Sequence, residues 1–171
     1  MKNYFLSFIG LFFLQAFIFN KIFFFNTLIL SPIILFFITL PYNRNSFFFL
    51  NVAFLSGVLL DIFSDSLGVY SLGFTLLIFI RNFWIEFFFS KDSISINAFL
   101  FPKKIKLNHF FYFSFPLILL FQSFIYLLEI DLLINFPSYL IKIFFSSGLT
   151  FILIFILQSL FLSSKRKHEW D

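Results

Sequence analysis

Residues 139–162 read YLIKIFFSSGLTFILIFILQSLFL, an apolar run that decides the class of protein. Only one of these 24 positions, Lys142, carries a charge. An α-helix needs about 20 predominantly apolar residues to cross the hydrocarbon core of a bilayer. Backbone polar groups find no water there and must be satisfied inside the segment, which a helix does. The run therefore predicts a transmembrane helix.

Five further apolar segments with few charges precede this run. They cover about residues 4–19, 22–40, 47–63, 70–87 and 110–128. None alternates apolar and polar residues over about ten positions, as the strands of a membrane barrel do. The sequence therefore predicts an all-α integral membrane protein with six transmembrane helices. Pro32 is expected either to kink the second helix or to start its regular part, because proline lacks a backbone donor.

The six predicted spans nearly exhaust the chain. At about 20 residues each they use about 120 of the 171 residues, which leaves room only for connectors and tails. We therefore expect a single transmembrane domain over residues 1–171. The first segment has no small-residue cleavage pattern behind it, so we expect it to be retained rather than removed as a signal peptide.

The composition points to lipid as the solvent. Hydrophobic residues make up 61% of the chain and charged residues 12%, about half the charged fraction of a soluble domain. The net charge of +4 comes from basic residues between apolar runs, which is unlike the basic stripe of a nucleic-acid-binding surface. The chain contains no Cys, which excludes disulfides, thiol nucleophiles and thiolate metal sites. We expect contact with membrane lipids and none with nucleic acid.

The distribution of Lys and Arg predicts the orientation, because cytoplasmic loops hold the excess of both. With six spans, both termini and the even-numbered loops lie on one side. That side collects nine basic residues, namely Lys2, Arg44, Lys91, Lys103, Lys104, Lys106, Lys165, Arg166 and Lys167. The opposite side holds only Lys21. The count predicts that both termini are cytoplasmic.

The densest group of polar and small residues closes the third predicted span, from Gly57 to Gly68. At 100° per residue, Gly57, Asp61 and Ser64 share one helix stripe. Glycine lets a second backbone approach closely, and the Asp61 carboxylate can accept hydrogen bonds from a neighbouring helix. Gly68 permits a sharp corner. The stretch is therefore either a packing seam with a turn, or a site at which Asp61 binds a ligand or handles a proton.

An enzymatic interpretation of the same stretch finds little support. Asp61 and Asp65 are four residues apart and could hold a divalent metal for phosphoalcohol transfer, but no further Asp pair accompanies them. Two oxygen ligands would leave Mg²⁺ mostly bound to water. The sequence has no H-E-x-x-H or G-x-S-x-G pattern either. We expect no catalytic centre, metal or cofactor.

Other polar residues inside the spans must find partners, because an unpaired polar group in lipid is costly. In the fourth span, Arg81 is expected to extend to lipid phosphates or to pair with Glu86. In the first span, Gln15 is expected to have an internal partner, and so is Asn20 at its end. The sixth span places Lys142, Ser146 and Thr150 on one face, with Ser147 and Gly148 beside them. These small residues allow close packing of either a partner helix or a helix of the same chain.

The chain resembles the rod-shape-determining membrane protein family MreD over most of its length. The resemblance rests on the Gly57–Gly68 stretch, which is similar to the family's G-x-x-x-D-x-x-S-x-x-x-G pattern, and on Leu14-Gln15 followed by Asn20, Ser31-Pro32, Leu40-Pro41 and Phe79-Ile80-Arg81. The sequence departs from the family in its 36 Phe residues and in Asn82, where related sequences often have Pro. We expect a structural or partner seam formed by Gln15, Asn20, Gly57, Asp61, Ser64, Asp65, Gly68 and Arg81.

The resemblance implies a non-enzymatic scaffold in the bacterial inner membrane, within the machinery that builds lateral peptidoglycan. MreD-like proteins associate with MreC, and through it with MreB, a penicillin-binding transpeptidase and a SEDS glycosyltransferase. The family's fold is similar to that of the substrate-binding subunits of energy-coupling-factor transporters. The rival function is therefore the substrate-binding subunit of a vitamin importer. A membrane chaperone or assembly factor without a ligand is the third possibility.

Overall fold

The computed structural model describes residues 2–19, 28–40, 42, 47–88, 107–129 and 136–166. These ranges contain six α-helices: α1 (Lys2–Phe13), α2 (Ile34–Thr39), α3 (Phe47–Ser64), α4 (Val69–Phe88), α5 (Leu107–Glu129) and α6 (Phe136–Arg166). A π-helical segment, Leu14–Phe19, continues α1. The chain is thus all-helical across the elements described, as predicted.

Four helices are long and apolar enough to cross a membrane. Their candidate spans are Phe47–Ser64, Val69–Phe87, Phe110–Leu128 and Tyr139–Gln158. These bounds agree with four of the six predicted spans. The first predicted span corresponds to a shorter apolar helix, Ser7–Phe19.

The prediction of a continuous helix over residues 22–40 is wrong for residues 28–33. Leu28 to Ser31 is not helical, and α2 has only six residues. The cause is Pro32, which disfavours helical backbone at the preceding residue and has no N–H to donate. The first N–H groups of the helical turn bond three residues back, from Ile34 to the Ser31 carbonyl (3.2 Å) and from Leu35 to the Pro32 carbonyl (3.0 Å). Pro32 therefore starts the regular part of this segment, which was one of its two predicted roles.

The core lies between α2, α4 and α5. The Phe74 ring of α4 stacks on Phe121 of α5 with centroids 5.3 Å apart, and it meets Phe37 of α2 at 4.7 Å. Half of the residues in the α4 span are buried, against 22% in the α6 span. The helix α4 is therefore the centre of the bundle, and α6 lies at its edge.

The outer faces of the helices are apolar. Large hydrophobic side chains are at least 46% exposed at Phe47, Phe48, Phe54, Leu55 and Ile62 of α3, and at Ile141, Phe144, Phe145, Ile152 and Ile156 of α6. Extended apolar surface of this kind is unusual on a protein in water. It is the surface expected of helices that face lipid.

Candidate functional site

The helices α3 and α4 form a hairpin whose backbones touch at Gly57. A Cβ atom added to Gly57 would lie 2.2 Å from the Ser71 Cα and 2.7 Å from the Tyr70 carbonyl oxygen. Both atoms belong to the backbone of α4, so no side-chain rotation could relieve the clash. Only glycine fits at this position. We call the contact formed by Gly57, Asp61, Tyr70 and Ser71 the hairpin seam.

One turn beyond Gly57, the buried Asp61 carboxylate caps the N-terminus of α4. Its Oδ1 accepts hydrogen bonds from the Tyr70 backbone N–H (2.9 Å) and the Ser66 hydroxyl (2.6 Å). Its Oδ2 accepts one from the Ser71 N–H (2.9 Å). These N–H groups, at the second and third positions of the helix, are the ones that an N-cap side chain normally satisfies. Gly68, which precedes α4, has no side chain, so Asp61 satisfies them from α3.

The turn between the two helices uses backbone conformations that favour glycine. Gly68 has φ of 80°, and Asp65 has φ of 53°. Asp65 is exposed, whereas Asp61 is buried. The Ser64 hydroxyl donates to the Leu60 carbonyl of its own helix (2.7 Å). Of the predicted stripe, Gly57 and Asp61 thus form the contact between helices. The geometry supports the packing-seam interpretation of this stretch.

The prediction that Arg81 reaches lipid phosphates is wrong, because Arg81 is only 1% exposed. Its Nε donates to the Ile38 carbonyl (3.2 Å), and its Nη2 donates to the Leu40 carbonyl. These carbonyls belong to the end of α2, where helical carbonyls have no partner within the helix. No ion pair joins Arg81 to Glu86 in the described ranges, and Glu86 instead accepts from the Tyr42 hydroxyl (2.6 Å). Arg81 therefore fixes α2 to α4.

The non-helical residues Leu28 to Ser31, which we call the break, are held by side chains of other helices. The Ile29 N–H donates to the Tyr126 hydroxyl (3.1 Å), and the Ile29 carbonyl accepts from Gln122 Nε2 (3.0 Å) and from the Ser146 hydroxyl. The Leu30 carbonyl accepts from Gln15 Nε2 (3.1 Å). Gln15, which lies in the π-helical segment, thus has the internal partner that was predicted.

The break lies at membrane depth. Gln122 is six residues from the end of its span at Leu128, and Ser146 is seven residues from the start of its span at Tyr139. At 1.5 Å per residue, both contacts lie about 9–11 Å inside the spans. Irregular backbone is tolerated at such depth only where protein or water satisfies its polar groups. The side chains around Ile29 supply that satisfaction.

The helix α6 has one face packed within the chain and one open face. Ser146, Ser147 and Thr150 are fully buried. Apart from Gly148 itself, its two chain neighbours and the nearby backbone of its own helix, no described atom lies within 4 Å of the position that a Cβ of Gly148 would occupy. The serines and Thr150 therefore pack within the chain, whereas Gly148 lies on an open side.

The sequence analysis did not single out Ser31, Gln122 or Tyr126 as members of a polar cluster. A glutamine within an apolar span and a serine directly before Pro32 were the available signals. Some predicted residues lie outside the described ranges: Asn20, Lys21, Arg44, Lys91, Lys103, Lys104, Lys106 and Lys167.

Comparisons with protein-family models, curated proteins and solved structures find no match for this chain. The resemblance to the MreD family therefore stays a prediction from sequence motifs.

Proposed function

We propose that this chain is a non-enzymatic membrane scaffold of the machinery that elongates rod-shaped bacterial cells, as MreD-like proteins are. It would lie in the inner membrane with both termini cytoplasmic. It would bind an MreC-like partner directly, and MreB, the penicillin-binding transpeptidase and the SEDS glycosyltransferase through that partner.

The observation that carries this proposal is the hairpin seam. Three residues central to the resemblance, Gly57, Asp61 and Gly68, serve one structural purpose, which is to hold α3 and α4 in contact. The Asp61 carboxylate is used by three donors of the hairpin. A motif used in this way supports a role in shaping a rigid bundle rather than in transforming a substrate.

The open side of α6 is the surface we assign to the partner's transmembrane helix. This helix has the least buried span of the four, and Gly148 has free space around it. Small residues allow a second helix to approach closely, and van der Waals contact is a main source of helix association in lipid. The proposal therefore places a single span of an MreC-like protein against Gly148.

Co-purification tests the assignment. Gly148→Leu should remove most of the MreC recovered with the tagged chain while leaving its unfolding temperature unchanged. Gly10→Leu is the matched control, since Gly10 in α1 also has no described atom within 4 Å of its Cβ position. Recovery of MreC that is equal for both variants would contradict the proposed surface.

Depletion of the protein tests the function itself. Rod-shaped cells should become round, and the wild-type chain should restore the rod. Loss of uptake of a small molecule, or loss of some other membrane protein, with rod shape intact would contradict the scaffold. A membrane-impermeant amine reagent should leave Lys165 unlabelled in intact cells, because the proposed orientation places it in the cytoplasm.

The second candidate, the substrate-binding subunit of a vitamin importer, is favoured by one observation. Buried polar side chains of α5 and α6 meet non-helical backbone at Ile29, inside the membrane. Transporters commonly bind substrates at such discontinuous segments. A vitamin retained at sub-micromolar affinity by the purified protein, together with an ATPase partner, would support the importer over the scaffold.

A further inference from the structure

Two buried polar groups beside the break form no hydrogen bond with any described part of the chain. They are the Ser31 hydroxyl and the Gln122 carboxamide oxygen Oε1. Both residues are 0% exposed. A buried polar group without a partner loses its hydration and gains nothing in return, so such groups are rare in native proteins.

Both residues belong to the region of the break, because Gln122 bonds to Ile29 and Ser31 is the last residue of the break. Gln122 is held in place, because its Nε2 donates to the Ile29 carbonyl (3.0 Å) and to the Thr150 hydroxyl (3.1 Å). Its Oε1 is bonded to the same carbon atom as Nε2 and therefore lies beside Ile29. Ser31 follows Ile29 by two residues, so its Cα lies at most about 7 Å from that of Ile29.

The chemistry of the two groups defines what they can bind. Gln122 Oε1 can only accept a hydrogen bond, whereas the Ser31 hydroxyl can donate and accept. The ligand must therefore donate to Gln122, and it can either accept from Ser31 or donate to it; a hydroxyl group that donates to Gln122 can accept from Ser31. The described cluster consists of neutral side chains, namely Gln15, Ser31, Gln122, Tyr126, Ser146 and Thr150. An ion there would have no opposite charge to offset its loss of hydration, which disfavours a cation.

We propose that Ser31 and Gln122 form a binding site for a hydroxyl group, which bridges the break to α5. The hydroxyl belongs either to an ordered water molecule or to a small uncharged alcohol, since both offer the same donor and acceptor. The site does not depend on the scaffold function proposed above.

A double-mutant cycle on the full chain in lipid nanodiscs tests the bridge. Ser31→Ala should lower the unfolding midpoint by about 2–4 °C in the wild-type background. In the Gln122→Met background, Ser31→Ala should lower the unfolding midpoint by much less, because the Gln122→Met variant has already lost the bridging hydroxyl. Equal shifts in the two backgrounds would overturn the proposal.

The matched control is Ser114→Ala. Ser114 is also a fully buried serine, but its hydroxyl donates to the Phe110 carbonyl of its own helix (2.7 Å). It lies eight residues from Gln122, about 12 Å along α5. Its substitution should shift the midpoint equally with and without Gln122→Met.

Two measurements identify the source of the hydroxyl. Native mass spectrometry that shows an organic adduct, lost on Ser31→Ala, would assign the site to an alcohol and would favour the importer. The bare protein mass, together with coupling in the cycle, would assign it to water. An experimental density map should show an oxygen atom bonded to both Ser31 and Gln122. A map with the two side chains bonded directly to each other would overturn the proposal.

Discussion

Gly57→Ala should destabilise the protein, although alanine is the better helix former. The added Cβ would lie 2.2 Å from the Ser71 Cα and 2.6 Å from the Ser71 nitrogen. Carbon atoms in ordinary contact are about 3.5–4.0 Å apart. The backbones of α3 and α4 would therefore have to separate by about 1.3 Å or more.

The separation would also break the cap on α4. The hydrogen bonds from Tyr70 N and Ser71 N to Asp61 are 2.9 Å long, and about 1.3 Å more would take them beyond hydrogen-bonding distance. Overpacking costs about 1–3 kcal/mol, and loss of a cap costs about 0.5–2 kcal/mol. The higher helix propensity of alanine offsets about 1 kcal/mol of this. The net loss is about 2 kcal/mol, which lowers the unfolding midpoint by about 4–8 °C.

Thermal unfolding of the purified protein in nanodiscs measures this loss. Gly148→Ala is the matched control, because no described atom lies within 4 Å of the corresponding Cβ position. That variant should be unchanged or more stable by up to about 1 kcal/mol. A Gly57→Ala protein that unfolds at or above the wild-type temperature would refute the close approach of α3 and α4.

Predictions for three further residues, Asp61, Arg81 and Tyr126, follow from their hydrogen bonds, and the same unfolding assay measures each of them. Asp61→Asn should lower the free energy of unfolding by about 1–2 kcal/mol, because an amide NH₂ cannot accept from the helix N–H groups. Asp61→Leu should lower it further, because leucine offers no acceptor at all. Equal losses for the two variants would contradict the cap. Arg81→Lys should cost about 1–3 kcal/mol, since lysine cannot reproduce the two directed bonds to α2, and an unchanged midpoint would count against that contact. Tyr126→Phe should cost about 1–3 kcal/mol by leaving the Ile29 N–H without its acceptor. Tyr112→Phe, at a position that is 62% exposed, should have no effect.

The long helices could be predicted from hydropathy because each is defined by its own residues. The predicted spans 47–63 and 70–87 agree closely with α3 and α4. The break could not be predicted in the same way. It is stabilised by Gln122, Tyr126 and Ser146, which lie 93, 97 and 117 residues from Ile29. Apolar composition alone does not distinguish an extended segment with such partners from a helix.

The candidate site was predictable to the extent that it depends on helical spacing. The interval from Gly57 to Asp61 places both on one stripe, and both contact α4. The partners of Arg81 were not predictable, because they are backbone carbonyls of Ile38 and Leu40, which lie 43 and 41 residues from Arg81 in the sequence.

The break also constrains how the growing chain can be inserted into the membrane. When Ile29 and Leu30 leave the ribosome, the side chains that will bond to Ile29 have not been synthesised, and they follow only about a hundred residues later. Exposed to lipid alone, these peptide groups would be penalised. We therefore expect the second segment to stay in a water-accessible site, such as the cavity of an insertase, until α5 and α6 have been inserted.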